Sequence, residues 1–175
     1  MAAGSTYTRI ASNTVSGSST TLVSFPSISS AYTDLVIVAQ AQHNNTYGNF
    51  WMRVGNGTVD SGTNYNYTYI QTNGTTTTSD RQTSATAWLI TPSATGISNI
   101  EDINSTINIM NYSTTANLYK PILMEVGAAG QGVQLMSGNW RNQSSAINII
   151  SFYTNSGSDT FKAGSTFSIY GIARA

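Results

Sequence analysis

The chain has 175 residues with a formal net charge of zero, and only 8% of its side chains are charged, where about 25% is usual. It has no cysteine, which excludes disulfides and cysteine-bound metal, and no basic excess that would favour binding to nucleic acid. It is too poor in alanine, leucine, glutamate and lysine for a helical bundle, whereas its 39% of hydrophobic residues suits a packed core better than a disordered chain.

Serine, threonine and asparagine make up more than a third of the chain, so hydroxyls and amides rather than charges must cover the surface. Such a surface suits a protein packed in many copies, because neighbours repel each other little, and one exposed to varying salt. Residues 1–12 show no secretory signal peptide, and the longest apolar run, residues 35–39, is too short to cross a bilayer. We expect no membrane partner, and export by a route such as cell lysis.

Alternating and β-branched segments recur along the chain and predict strands rather than helices. In chain order, the predicted strands span residues 7–10, 20–25, 34–42, 49–54, 65–71, 85–90, 106–112, 121–126, 134–140, 146–153 and 166–172. Glycine-containing turns are predicted at 56–57, 73–74, 155–157 and 163–164. The polar tracts 75–79 and 113–117 are predicted loop tips, and residues 97–103 a short helical turn.

The alternation also assigns faces to several strands. Phe50, Met52 and Val54 should point into the core, and Trp51 and Arg53 away from it. The same pattern turns Glu125 outward and places these residues on inner faces: Ile122, Met124, Val126, Phe167, Ile169 and Gly171. The run of apolar residues at 35–39 predicts a central strand that is buried on both faces.

These elements predict an all-β fold with a single domain over residues 1–175. Many short strands separated by turns indicate an antiparallel β-sandwich of jelly-roll type, with about 8–11 strands. Residues 1–19 are polar with small side chains and are predicted to form an extended N-terminal attachment arm.

The side chains that could carry catalysis or bind metal form no convincing pattern. The single histidine, His43, is predicted in a loop without a nucleophile motif around it. The neighbouring acids Glu101 and Asp102 would face opposite ways on a strand and are better explained as a turn or helix-start pair. A calcium site over residues 60–64 lacks closely spaced carboxylates, so a plain turn is preferred. We expect no enzymatic activity, no cofactor and no metal.

The aromatic residues are the more informative candidates. Tyr65, Tyr67 and Tyr69 alternate, so one strand face carries three rings, and Trp51 adds a large ring on another strand. Exposed rings of this kind stack on sugars or anchor a protein interface. The alternatives are that the row belongs to the sandwich core, to a subunit interface or to a glycan platform, and the sequence leaves them open.

Several of these segments resemble a group of virion structural proteins of tailed, often marine, bacteriophages. The resemblance covers most of the chain from about residue 20, and it lies in YTDLVIV (32–38), MRVGNG (52–57), NYNYTYI (64–70), INIMNY (107–112), GNWRN (138–142), AINII (146–150) and FKAGSTFSIYGI (161–172). It implies a β-sandwich virion component without enzymatic activity. It does not imply a position on the head, tail or fibre.

The leading hypothesis is a non-enzymatic virion protein that decorates or cements the capsid surface. The protein would fold in the host cytoplasm, leave by lysis and contact the major capsid protein or other virion proteins. We also expect a homotrimer, or a trimer formed on docking, held by apolar and aromatic strand faces, since few charges are present for ion pairs. The alternatives are a tail or fibre-tip adhesin that binds host surface glycans and a small carbohydrate-binding module or depolymerase.

Overall fold

A computed structural model of the chain describes residues 6–17, 20–44, 48–91, 102–154 and 159–173. Within these ranges the chain forms strands and no helix. The strands are β1 (Tyr7–Thr14), β2 (Leu22–Phe25), β3 (Asp34–Ala41), β4 (Phe50–Asn56), β5 (Thr58–Val59), β6 (Tyr65–Thr72), β7 (Thr77–Ala85), β8 (Trp88–Leu89), β9 (Ile103–Ile109), β10 (Lys120–Ala128), β11 (Gly132–Trp140), β12 (Ile149–Thr154) and β13 (Thr166–Ile172).

The strands form two antiparallel sheets, which confirms the all-β class and is consistent with the predicted sandwich. One sheet has eight strands in the order β1-β13-β3-β9-β10-β11-β6-β7. The other has five, in the order β2-β12-β4-β5, with β8 also paired to β4. Strands β1 to β4 alternate between the sheets, as do β12 and β13, an alternation that a jelly roll requires. The jelly-roll type stays a prediction, because the sheets are larger than the four-stranded pair expected of it.

The core lies between the inner faces of the two sheets. Rings from both sheets meet there: the centroids of Phe152 on β12 and Phe167 on β13 are 4.8 Å apart. The predicted inward rows on β4, β10 and β13 are all buried, and Glu125 is exposed as predicted. The prediction that β3 is buried on both faces is wrong at Val38, whose side chain is 45% exposed. That position points to the outer face of the sheet, which no other element of the described chain covers fully.

The largest error in the predicted strands concerns β7. Residues 75–79 were expected at a loop tip, but the chain turns at Asn73–Thr76 and re-enters the sheet at Thr77. The Asn73 carboxamide oxygen accepts hydrogen bonds from the Thr75 and Thr76 amides, which closes this turn. Strand β7 is an edge strand that is exposed on both faces, so it needs no apolar alternation and its sequence looks like a loop.

The other boundaries differ by a few residues. Strand β9 begins at Ile103, earlier than predicted, and only Trp88–Leu89 of the predicted strand 85–90 is a separate strand. Residues 113–117 lie between β9 and β10, as expected of a loop. Gly57, Gly74 and Gly164 have positive φ angles, which confirms the turns predicted there. Residues 97–101, in the predicted helical turn, and the turn at 155–157 lie outside the described residues.

Much of the predicted N-terminal arm belongs to the sheet. Strand β1 pairs with β13 from Tyr7 to Thr14, with a bulge between Arg9 and Ala11. Val15 continues into the core and its amide donates to the Ser165 carbonyl. Residues 7–15 are therefore part of the sandwich, and an attachment role for residues 1–19 stays a prediction.

Gly171 on β13 lies directly beneath the ring of Tyr32. A Cβ atom at this position would overlap the Tyr32 ring. The sequence predicted that Gly171 faces inward, and the structure places an aromatic ring against it. The strand is held on both sides, by β1 and β3, so it has little room to shift away.

We predict that Gly171→Val destabilises the protein by about 1–3 kcal/mol, the usual cost of overpacking, because the new side chain displaces the Tyr32 ring. Thr76→Ala is the matched control, since Thr76 is exposed in the β6–β7 turn and should change stability by less than about 0.5 kcal/mol. Thermal or denaturant unfolding measures both. Equal stability of the two variants would contradict the packing described for Gly171.

Candidate interaction surfaces

The predicted tyrosine row lies on the inner face of β6, and most of it is core. Tyr65 is fully buried and Tyr67 is 9% exposed, while Tyr69 is half-buried. Burial raises the pKa of Tyr67 to about 12. The prediction that Tyr65 and Tyr67 contact a partner or a glycan is therefore wrong, because the opposite sheet covers both rings. Tyr69 stays a candidate contact.

The hydroxyl of Tyr65 explains why a tyrosine occupies this buried position. It donates to the Asp60 carbonyl at 2.7 Å and accepts a hydrogen bond from the Val54 amide at 3.2 Å. Its ring meets Trp88 edge to face, with centroids 4.8 Å apart. Burial raises the pKa of the Tyr65 hydroxyl well above its usual range. Tyr65 thus fastens β4 to the loop before β6.

Trp51 lies on the outer face of the five-stranded sheet, where the sequence placed it. Directly opposite on β12 is Tyr153, and the two rings are nearly parallel, with centroids 6.0 Å apart. The guanidinium carbon of Arg53 lies 4.6 Å from the centre of the Tyr153 ring. All three side chains are half-buried. We call Trp51, Tyr153 and Arg53 the aromatic platform; the sequence analysis named Trp51 as a contact but missed the other two.

The outer face of the eight-stranded sheet contains a groove of about 1290 Å³. Four apolar side chains on its walls are 45–54% exposed: Val38, Ile70, Val133 and Leu135. Glu125 lies between them, since Val38, Thr106, Glu125, Leu135 and Ile70 are successive cross-strand neighbours. We call this surface the apolar groove. Ile70, Val133 and Leu135 are grouped on the adjacent strands β6 and β11, and exposed apolar residues grouped in this way commonly mark an interaction site.

His43 lies in the connection between β3 and β4, as predicted, but its side chain is not at the surface. It is fully buried, and its imidazole stacks on Phe50 at a centroid distance of 4.5 Å. Gly48 covers the ring so closely that a Cβ there would overlap it. Burial lowers the pKa of His43, against the opposing effects of the Asn49 carbonyl and the Asp159 charge. Enclosed in this way, the imidazole cannot reach a substrate.

Asp60 organises a turn rather than an open cation site. Its carboxylate accepts hydrogen bonds from the Gly62 amide, the Asn64 carboxamide and the Trp140 indole, each at 2.8 Å. Burial by itself would raise the pKa of Asp60, but these bonds and the charge of Arg53 outweigh it and lower the pKa. The carboxylate is thus committed to these three donors.

The remaining acids form no cluster in the part of the chain that the structure describes. Asp34 accepts a hydrogen bond from the Asn111 amide, and Asp102 accepts one from the Gln40 carboxamide. Glu101, the other half of the predicted acid pair, lies outside the described residues. Among those residues there is no group of three or more histidines or acids placed to hold a metal ion. They also include no helix long and apolar enough to span a membrane.

We predict that the stability of the protein falls as the pH is lowered from 7 to 5. The folded state lowers the pKa of His43, so below about pH 6.5 the unfolded chain binds a proton more readily than the folded one. His43→Phe keeps an aromatic ring on Phe50 but cannot titrate. Its free energy of unfolding should change less over the same pH range, which denaturant unfolding measures. An equal pH dependence in both proteins would contradict this role, because the chain has no other histidine.

A scan against protein-family models finds no match for this chain, and a search of curated proteins finds none with significant similarity.

Proposed function

We propose that this chain is a non-enzymatic structural protein of a bacteriophage virion that decorates or cements the capsid surface. The observation that carries the proposal is the apolar groove. A sheet face that displays Val38, Ile70, Val133 and Leu135 to solvent is costly for an isolated monomer and suits a protein whose outer face is covered on assembly. The sequence resemblance to virion proteins of tailed bacteriophages indicates that this assembly is a phage particle.

The chemistry of the remaining surface supports the same proposal. Charged residues are few and hydroxyl and amide groups are many, so copies that pack side by side repel each other little. A chain without cysteine also needs no oxidising compartment for folding, which suits synthesis in a host cytoplasm followed by release at lysis. The proposed partners are the major capsid protein or other virion proteins.

Glu125 at the centre of the apolar groove disfavours a contact between the grooves of two copies. Two copies that joined their grooves around a twofold axis through the centre would bring two Glu125 carboxylates together in an apolar setting, which is unfavourable. A contact between the groove and a different surface avoids this repulsion. Copies joined by such a heterologous contact form a closed ring, and the same groove could instead bind another virion protein. We propose a ring of three copies, a homotrimer, on the virion surface.

The proposal is tested by locating the chain in virus particles. Phage particles whose genome encodes the chain are purified from a lysate of infected cells. Mass spectrometry of these particles should detect the chain in many copies per particle. A cryo-EM map of those particles should show the two-sheet sandwich on the outer surface of the head with the groove covered. Its absence from particles, or a map that places it with the groove open to solvent, would refute the proposal.

We predict that the purified protein is a trimer by light scattering and that Leu135→Asp converts it to a monomer, since the new charge would lie next to Glu125 in the groove. Leu118→Asp is the matched control, because Leu118 is a 55% exposed leucine in the loop between β9 and β10, outside the groove. The trimer should persist in about 1 M salt, where the Debye length is about 3 Å. A monomeric parent chain, or a trimer that dissociates as salt is raised, contradicts the prediction.

A further inference from the structure

The aromatic platform lies on the sheet opposite the apolar groove, outside the core, although Trp51 packs partly against it. On β4 the core contacts come from the alternate residues Phe50, Met52 and Val54, which are all buried. Trp51 and Arg53 point the other way and meet Tyr153 from β12. The rings are half-buried rather than enclosed, so part of their surface faces solvent.

The cross-strand register places a polar row beside this aromatic row. Trp51, Tyr153 and the 55% exposed Leu22 are successive neighbours across β4, β12 and β2. The neighbouring row, two residues further along β4, contains Arg53 on β4, Ser151 on β12 and Ser24 on β2. The two serine hydroxyls are hydrogen-bonded to each other at 2.8 Å. Ser151 is buried, so the sheet presents an apolar strip beside the Arg53 guanidinium and the exposed Ser24 hydroxyl.

Arg53 is held in a fixed position over this surface. Its Nε donates to the Thr86 carbonyl at 3.0 Å, and its guanidinium plane lies against Tyr153. A guanidinium carries four further N–H donors on its two terminal nitrogens, in a fork that matches a carboxylate. Because Tyr153 and Thr86 orient the group in advance, an anion that binds there orders little additional side chain.

We propose that the aromatic platform binds carbohydrate whose sugars carry a carboxylate, that is, a uronic-acid-type polysaccharide. The apolar face of a pyranose ring stacks on Trp51 and Tyr153, its carboxylate pairs with Arg53, and its hydroxyls reach the polar row that ends at Ser24. The binding is non-covalent and reversible. This surface is the one that the adhesin alternative would use, but the inference concerns the purified chain and is independent of its position on a virion.

Two other ligand classes fit the platform less well. Single-stranded nucleic acid also stacks on aromatic rings, but it needs a basic groove along its backbone, and the platform supplies one cation in a chain of zero net charge. Neutral sugars would use the rings and the hydroxyls but would bring no anion to the terminal N–H groups of Arg53, whose neighbouring carboxylate, Asp60, is hydrogen-bonded to Gly62, Asn64 and Trp140. The acidic sugar is the ligand that engages all three groups.

The inference is tested by titration calorimetry with two matched ligands, hexagalacturonate and its fully methyl-esterified form. The parent chain should bind the acid form at least about tenfold more tightly, because only that form supplies a partner for the guanidinium. Trp51→Ala should raise Kd for both ligands about tenfold or more, as expected for loss of an aromatic stacking contact. Arg53→Gln should remove the preference for the acid form while leaving the weaker binding of the ester.

Tyr119→Ala is the control, because it removes a 43% exposed aromatic ring from the loop before β10 and should bind like the parent chain. Thermal melting of each variant separates lost binding from lost folding. The inference is overturned if the folded parent chain binds neither ligand, if Trp51→Ala binds normally, or if Arg53→Gln keeps the acid preference. Binding of a ten-residue oligothymidylate as tight as that of the acid form would also overturn it, in favour of a nucleic-acid site.

Discussion

The burial of the two inner sheet faces against each other determines what the rest of the chain is free to do. Side chains alternate across a strand, so once Phe152 and Phe167 meet in the core, their neighbours along each strand must point outward. With only 8% charged residues, burial of apolar surface is the main favourable contribution to folding. The apolar groove and the aromatic platform both result from this packing, because they consist of the strand positions that point away from the core.

Several of the charged and polar side chains that the packing encloses are hydrogen-bonded to neighbouring groups and have a structural role. Lys120 is fully buried on the inner face of β10, and its ammonium donates to the Leu118 and Asn142 carbonyls. Burial lowers the pKa of this lysine. Asp60 and Tyr65 are engaged in the same manner by neighbouring backbone and indole groups. These three side chains thus hold turns and strands in place.

The two proposed surfaces differ in chemistry and lie on different sheets. The apolar groove, with one carboxylate at its centre, suits a broad contact with another protein. The aromatic platform is smaller and amphipathic, and it suits a sugar ring. Because the surfaces face away from each other across the core, a protein attached through its groove would present the platform to the surrounding medium. A virion surface protein that also contacts acidic polysaccharide would use both at once.

The sequence alone was enough to predict the all-β class and the inward rows on β4, β10 and β13, because alternation with period two is a local property of a strand. The turns at Gly57, Gly74 and Gly164 were predictable for a similar reason, since glycine tolerates a positive φ angle. It could not reveal β7, since an edge strand exposed on both faces leaves no apolar period. Alternation placed Tyr65, Tyr67 and Tyr69 on one face, but only the tertiary structure decided that this face is covered. Likewise, Tyr153 lies far in the sequence from Trp51 and Arg53, and the pairing of β12 with β4 brings it to them. Strand pairing and sheet packing depend on long-range contacts, which no local pattern specifies.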